Sequence, residues 1–120
     1  MTDRLSICDG IKLMITITDR GKGEKVTDIC KKNSINFHLI CLGNGTANSD
    51  ILEYLGLGDT DKDIVMSAVP EDSVSFIIKE LSKKMQFDKP GNGIVFTIPI
   101  NSVGGVVTLQ LLTGLMNQEG

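Results

Sequence analysis

From Lys12 to Thr18, Leu13, Ile15 and Ile17 alternate with Met14, Thr16 and Thr18. A period of two places the two sets on opposite faces of a strand, with one face in the core. Asp19-Arg20-Gly21-Lys22-Gly23 reads as a turn. The spacing then changes. Val26, Ile29 and Cys30 fall at i, i+3 and i+4, which predicts a helix from Glu24 to about Asn33, with Lys25, Asp28, Lys31 and Lys32 toward solvent. Phe37–Leu42 is a continuous apolar run, predicting a strand buried on both faces or nearly so. A polar break follows from Gly43 to Asp50, and Ile51–Gly56 has room for a helical turn or two capped by Ser49 or Asp50. Ile64–Val69 predicts a third strand. The clearest helix carries Val74, Ile77, Ile78, Leu81 and Met85 in one apolar stripe. Glu71 and Asp72 at its start and Lys83 and Lys84 near its end match the helix dipole. Ile94–Ile100 predicts a fourth strand, and Pro99 marks an edge or the strand's end.

The element order is βαββαβ, an α+β, ferredoxin-like arrangement with an antiparallel sheet in a single domain over residues 1–120. Residues 1–10 form an N-terminal extension, 43–61 a long loop region and 101–120 a C-terminal tail. Two helices cover one face of such a sheet. The second and third strands are apolar at nearly every position, so the other face also needs a cover. Further copies of the chain would supply it, which predicts an obligate oligomer. The alternative is that the apolar segment Val106–Met116, readable as a short strand, a tail helix or an oligomer contact, folds back over the sheet.

Composition narrows the function classes. The 120 residues carry a net charge of −3 and five aromatic side chains, four Phe and one Tyr. A nucleic-acid binder would show a basic face with stacking aromatics, so nucleic acid is not expected as a partner. No apolar stretch approaches the roughly 20 residues that span a bilayer, so no membrane insertion is expected. Three cysteines at 8, 30 and 41, with no CxxC spacing, fit a reducing compartment and a cytoplasmic location. With the single His38 they form no zinc pattern. Cys41 and His38 lie three apart on one strand, hence on opposite faces, and cannot pair as thiolate and imidazolium. Asp59, Asp61 and Asp63 alternate like the start of a calcium loop, but the glycine and distal glutamate such loops need are missing. Asp19 and Arg20 fit a surface turn or an intersubunit cleft. No nucleophile–base–oxyanion set can be assembled, so the chain is not expected to be an enzyme.

One motif suggests binding. Lys89-Pro90-Gly91-Asn92-Gly93 stands between a helix and a strand. Glycines there expose backbone N–H groups that can meet an anion. Alone, the motif is ordinary turn chemistry.

Together these features resemble the PII signal-transduction family over residues 11–105. The resemblance rests on the element order with a long loop between strands two and three, on Val69-Pro70-Glu71-Asp72, and on Lys89-Pro90-Gly91-Asn92-Gly93 leading into Ile94-Val95-Phe96. PII proteins are trimers that bind ATP or ADP between subunits, in many cases with 2-oxoglutarate, and regulate partner proteins of nitrogen metabolism. The resemblance therefore implies a homotrimer that senses a small metabolite, with an adenine nucleotide as the candidate cofactor, and that regulates a target protein such as a transporter or enzyme. Gly91 and Gly93 match glycines of the phosphate-binding B-loop, with Lys89 and Asn92 beside them. Lys62, expected just before strand three, matches a lysine that holds 2-oxoglutarate, and Gly43 and Gly45 match glycines leading into the T-loop, here the region 43–61. Other family positions differ. The B-loop lysine falls at Ile94, two arginines fall at Gly105 and Val107, and a magnesium-binding glutamine falls at Ala47. Three lost cationic contacts remove on the order of 5 kcal/mol, so ATP is expected to bind weakly and a smaller or less charged ligand, such as a mononucleotide, to fit better. Thr46, Leu52, Tyr54, Leu55 and Leu57 form either a partner-docking patch or a loop packed on the domain. The rival readings are a CutA-type metal-responsive trimer and a small ligand carrier or enzyme on the same fold.

Overall fold

The computed structural model describes residues 10–44, 61–105 and 107–108. Its elements are β1 (Ile11–Asp19), α1 (Gly23–Lys32), β2 (His38–Asn44), β3 (Asp61–Pro70), α2 (Val74–Lys84) and β4 (Ile94–Pro99), with a 3₁₀ turn at Glu71–Ser73 ahead of α2. The strands form one antiparallel sheet in the order β2-β3-β1-β4. This is the expected ferredoxin-like α+β arrangement.

Both helices lie on one face of the sheet. α1 buries Val26, Ile29 and Cys30, and α2 buries Ile77 and Leu81. They close over Met14, Val65 and Val69, with Ile35 and Met85 completing the core. The alternation in β1 resolves accordingly. Met14, Thr16 and Thr18 are fully or almost fully buried beneath the helices, so Leu13, Ile15 and Ile17 point to the other side.

No described element covers that other side, and pairing register reads out its rows. Ala68, Leu13 and Ile98 form one row. Leu39, Met66, Ile15 and Phe96 form the next, and Cys41, Ile64, Ile17 and Ile94 the third. Every side chain in these rows is apolar or a thiol. Ile94, Phe96 and Ile98 remain substantially exposed. The alternative cover, the segment from Val106 to Met116, falls outside the described residues except for positions 107 and 108.

Two expectations need correction. The second strand is not buried on both faces: Leu39, Ile40 and Leu42 are 51%, 42% and 70% exposed. Among the described residues β2 is an edge strand paired with β3 alone, so its apolar run lies on exposed surface. The third strand begins at Asp61 rather than Ile64, which makes Lys62 and Asp63 strand residues rather than loop residues. Both are buried, and each has an oppositely charged partner from β1 or the turn after it. Pro99 fulfils both halves of its reading, closing β4 on the outer edge of the sheet.

Candidate functional site

Antiparallel pairing brings the singled-out residues to one end of the sheet. Asp19, the last residue of β1, lies opposite Lys62, and Lys62 lies opposite Gly43. β4 starts at Ile94 opposite Ile17, so the glycine loop before it sits at this same end.

The glycine loop is shaped by its own backbone. Gly91 and Gly93 have φ of +91° and +135°, a region that favours glycine. Thr18 Oγ1 donates to the Asn92 carbonyl at 3.1 Å, and Asn92 Nδ2 donates to the Gln86 carbonyl at 2.9 Å. These bonds tie the loop to β1 on one side and to the end of α2 on the other. A Cβ at Gly93 would lie 2.5 Å from the Ile17 carbonyl oxygen and 2.8 Å from Phe87 Cε1. Gly93→Ala is therefore expected to cost at least about 2 kcal/mol, read as a lower urea midpoint with unchanged slope. Beside the loop, between the helices, is an open pocket of about 260 Å³ lined by Lys22, Lys25, Lys84, Met85, Gln86 and Asn92. Of its three lysines, Lys84 is paired with Glu80 at 3.0 Å and Lys22 lies 3.9 Å from Asp19, so the positive charge around the pocket is partly compensated.

Across the sheet end, Lys62 Nζ donates to Asp19 Oδ1 at 2.8 Å, with the Lys62 side chain 8% exposed. Arg20 bridges the strands. Its Nη2 donates to the Gly43 carbonyl at 2.9 Å and to the Lys62 carbonyl at 3.3 Å, and its Nε lies 3.5 Å from Asp63 Oδ1. Asp63 faces the helical side, where its Oδ2 accepts from the N–H groups of Gly21 and Gly23, both at 2.9 Å. α1 has no capping side chain of its own, so a carboxylate from β3 takes that role.

Of the residues expected to bind ligand, Gly43, Lys62, Gly91, Asn92 and Gly93 thus converge on one end, with Lys89 exposed at the start of the loop. Gly45 lies outside the described residues, as do Thr46, Leu52, Tyr54, Leu55 and Leu57. Arg20 and Asp63 organise the site, although sequence alone offers Arg20 as a turn residue and Asp63 as part of an incomplete calcium pattern. A usable signal is present: Asp19-Arg20 closes one strand and Lys62-Asp63 opens its antiparallel partner, so the charges complement each other in register.

His38 and Cys41 lie on opposite faces of β2, as expected. His38 pairs with Ser67 on the helical side and Cys41 with Ile64 on the uncovered side. His38 Nδ1 is 3.5 Å from Ser67 Oγ, and Nε2 is buried without a partner among the described residues. Burial, aided by nearby Lys31, lowers the His38 pKa, against a raising hydrogen bond with the Ile35 backbone. Burial pushes the Cys30 thiol up to about 11, against a smaller opposing hydrogen bond from Ser67, so it stays protonated at neutral pH. Because the folded state holds the His38 proton less tightly than the unfolded chain, stability is expected to fall as pH drops through the unfolded value of about 6.5. His38→Gln should flatten that part of the stability–pH curve.

No protein-family model matches the chain, and no curated protein matches it in sequence. Solved structures do match in fold. One is CPII, a nitrogen regulatory PII-like protein from Thiomonas intermedia K12, bound to ADP, AMP and bicarbonate, with a TM-score of 0.59 and 20% identity over 78% of this chain and 93% of that one. CPII with ADP, AMP and acetate gives 0.56 and 20%, over 72% and 82%. A candidate PII-like signalling protein from Thermus thermophilus gives 0.54 and 14%, over 73% and 83%. The chain has the fold of PII-like proteins.

Proposed function

We propose that this chain is a PII-like regulatory protein that senses an adenine nucleotide at clefts between the subunits of a homotrimer. The observation that carries this reading is the placement of the glycine loop 91–93, Gly43 and Lys62 at the same end of the sheet, beside an apolar face that no described element covers. Three copies closing over that face bring a neighbour against this end of the sheet. Backbone N–H groups of the loop and nearby lysines then meet phosphate oxygens. Region 43–61, springing from the Arg20-braced base of β2 and β3, transmits occupancy to a target protein, with Thr46, Leu52, Tyr54, Leu55 and Leu57 as the docking residues. In this reading the partner is a transporter or enzyme of nitrogen or related metabolism, and the chain itself catalyses nothing. The positions occupied by Ile94, Gly105 and Val107 lack the family's cations, so AMP or ADP is preferred to ATP. That CPII was solved with ADP and AMP bound supports the choice of ligand class.

The test is a thermal-shift titration with AMP, ADP, ATP and 2-oxoglutarate, alongside light scattering on a sizing column. At about a hundredfold excess over Kd, a ligand adds about 2.7 kcal/mol, which is several degrees of melting temperature. A rise with AMP or ADP that exceeds the rise with ATP, and a mass three times that of the 13.0 kDa chain, are the expected results. A monomer unmoved by any adenine nucleotide would overturn the proposal.

A further inference from the structure

The Lys62 ammonium group already has an anion. Asp19 Oδ1 sits 2.8 Å away, and Lys62 is buried while Asp19 is one-third exposed. The two residues face each other across β1 and β3, just beyond the apolar row of Ile17 and Ile64. The second Asp19 oxygen, Oδ2, lies 3.9 Å from Lys22 Nζ, and Lys22 is more than half exposed. Asp19 therefore stands between a buried lysine and a solvated one. If an outside oxyanion took over Lys62, Asp19 would keep Lys22 and water, and neither charge would be stranded. The frame around the pair is fixed independently. Arg20 holds the Gly43 and Lys62 carbonyls, and Asp63 holds the start of α1. An exchange of partners at the Lys62 ammonium thus needs side-chain rotation at Asp19 and no change in strand pairing.

We infer that Asp19 is a built-in competitor for the effector: its carboxylate satisfies Lys62 in the free chain, and a carboxylate or phosphate oxygen of the bound metabolite replaces it there. This rests on the effector reading above and adds its regulation. The pair sets a threshold, because the effector must outcompete a tethered carboxylate. It also sets specificity, since a ligand without an oxyanion offers Lys62 nothing in return. The exchange moves Asp19 toward Lys22, at the turn leading into α1, and so gives occupancy a mechanical consequence beside the base of region 43–61.

Two measurements test it on the full chain, with ADP, AMP and sodium acetate as probes. The first follows the Lys62 ammonium group by ¹H–¹⁵N spectroscopy. Its signal should be protected in the free protein, lose that protection in Asp19→Asn, and shift when a probe binds. The second is calorimetric titration of the wild type, Asp19→Asn, Lys62→Gln and the double variant. Asp19→Asn is expected to bind ADP about tenfold more tightly, because the ammonium group is released from its competitor. Lys62→Gln should bind more weakly, and the double variant should match Lys62→Gln, because without Lys62 there is nothing to compete for. A shift of the Lys62 signal with ADP or AMP but not with acetate assigns the oxyanion to phosphate, and a shift with acetate alone assigns it to carboxylate. If ADP binds wild type and Asp19→Asn equally, with the Lys62 signal unmoved, the exchange is wrong while the nucleotide reading survives. If no probe binds any variant, both fall.

Discussion

Asp63→Ala is expected to lower the stability of the folded chain by about 3 kcal/mol, seen as a fall of about 10 °C in melting temperature. The carboxylate is buried and accepts the Gly21 and Gly23 N–H groups at 2.9 Å each. Alanine leaves both donors without that acceptor at the start of α1, where a lost cap alone costs about 1 kcal/mol. It also takes a negative charge from beside the Arg20 guanidinium, which keeps its carbonyl partners at Gly43 and Lys62. Asp63→Asn keeps an acceptor oxygen and should recover about half of the loss. Gly23→Ala approaches the same contact from the other side, since its Cβ would stand 2.9 Å from Asp63 Oδ2. Thermal melts of the three variants decide the matter. Equal and negligible shifts would mean that the carboxylate does not organise this end of the sheet.

The order of elements was legible because each obeys a local period. The stripe through Val74, Ile77, Ile78, Leu81 and Met85 permits one helix face, and burial of Ile77, Leu81 and Met85 follows it. Strand edges were less legible. The run Phe37–Leu42 looks like an interior strand because an apolar run does not say which elements flank the strand, and β2 lies at an edge of the described sheet. The start of β3 was hidden for the opposite reason. Asp61, Lys62 and Asp63 look like loop residues until antiparallel register sets Asp19 against Lys62 and Arg20 near Asp63. A charge whose partner lies some forty positions away gives no local signal. The same limit applies to the candidate site. Gly91 and Gly93 show themselves by residue type, and both adopt the positive φ their type allows. Arg20 contributes through three carbonyl contacts that only the folded sheet assembles.

Ile15→Glu is expected to abolish the proposed trimer, leaving a monomer by light scattering on a sizing column. Ile15 sits within the uncovered face, flanked by Met66 on β3 and Phe96 on β4, with Leu39 beyond Met66 in the same row. The helical core lies on the opposite face, so the substitution leaves the packing around Met14, Val65 and Leu81 in place. In a closed trimer the position recurs in every subunit. Each carboxylate would be taken out of water among apolar neighbours, at a cost of several kcal/mol apiece unless it is protonated. Like charges meeting at a symmetric interface add to that cost. A control separates this from general damage by a charge: Phe76 on α2 is 58% exposed and lies away from the sheet, so Phe76→Glu should keep the mass of the wild type. Far-ultraviolet circular dichroism should show that Ile15→Glu keeps its helices. Because the nucleotide cleft is proposed to lie between subunits, the same monomer should also lose its thermal response to ADP. A folded Ile15→Glu variant that retains the trimer mass would show that this face is not what holds the subunits together. An Ile15→Glu monomer that still responds to ADP would place the binding groups within a single chain.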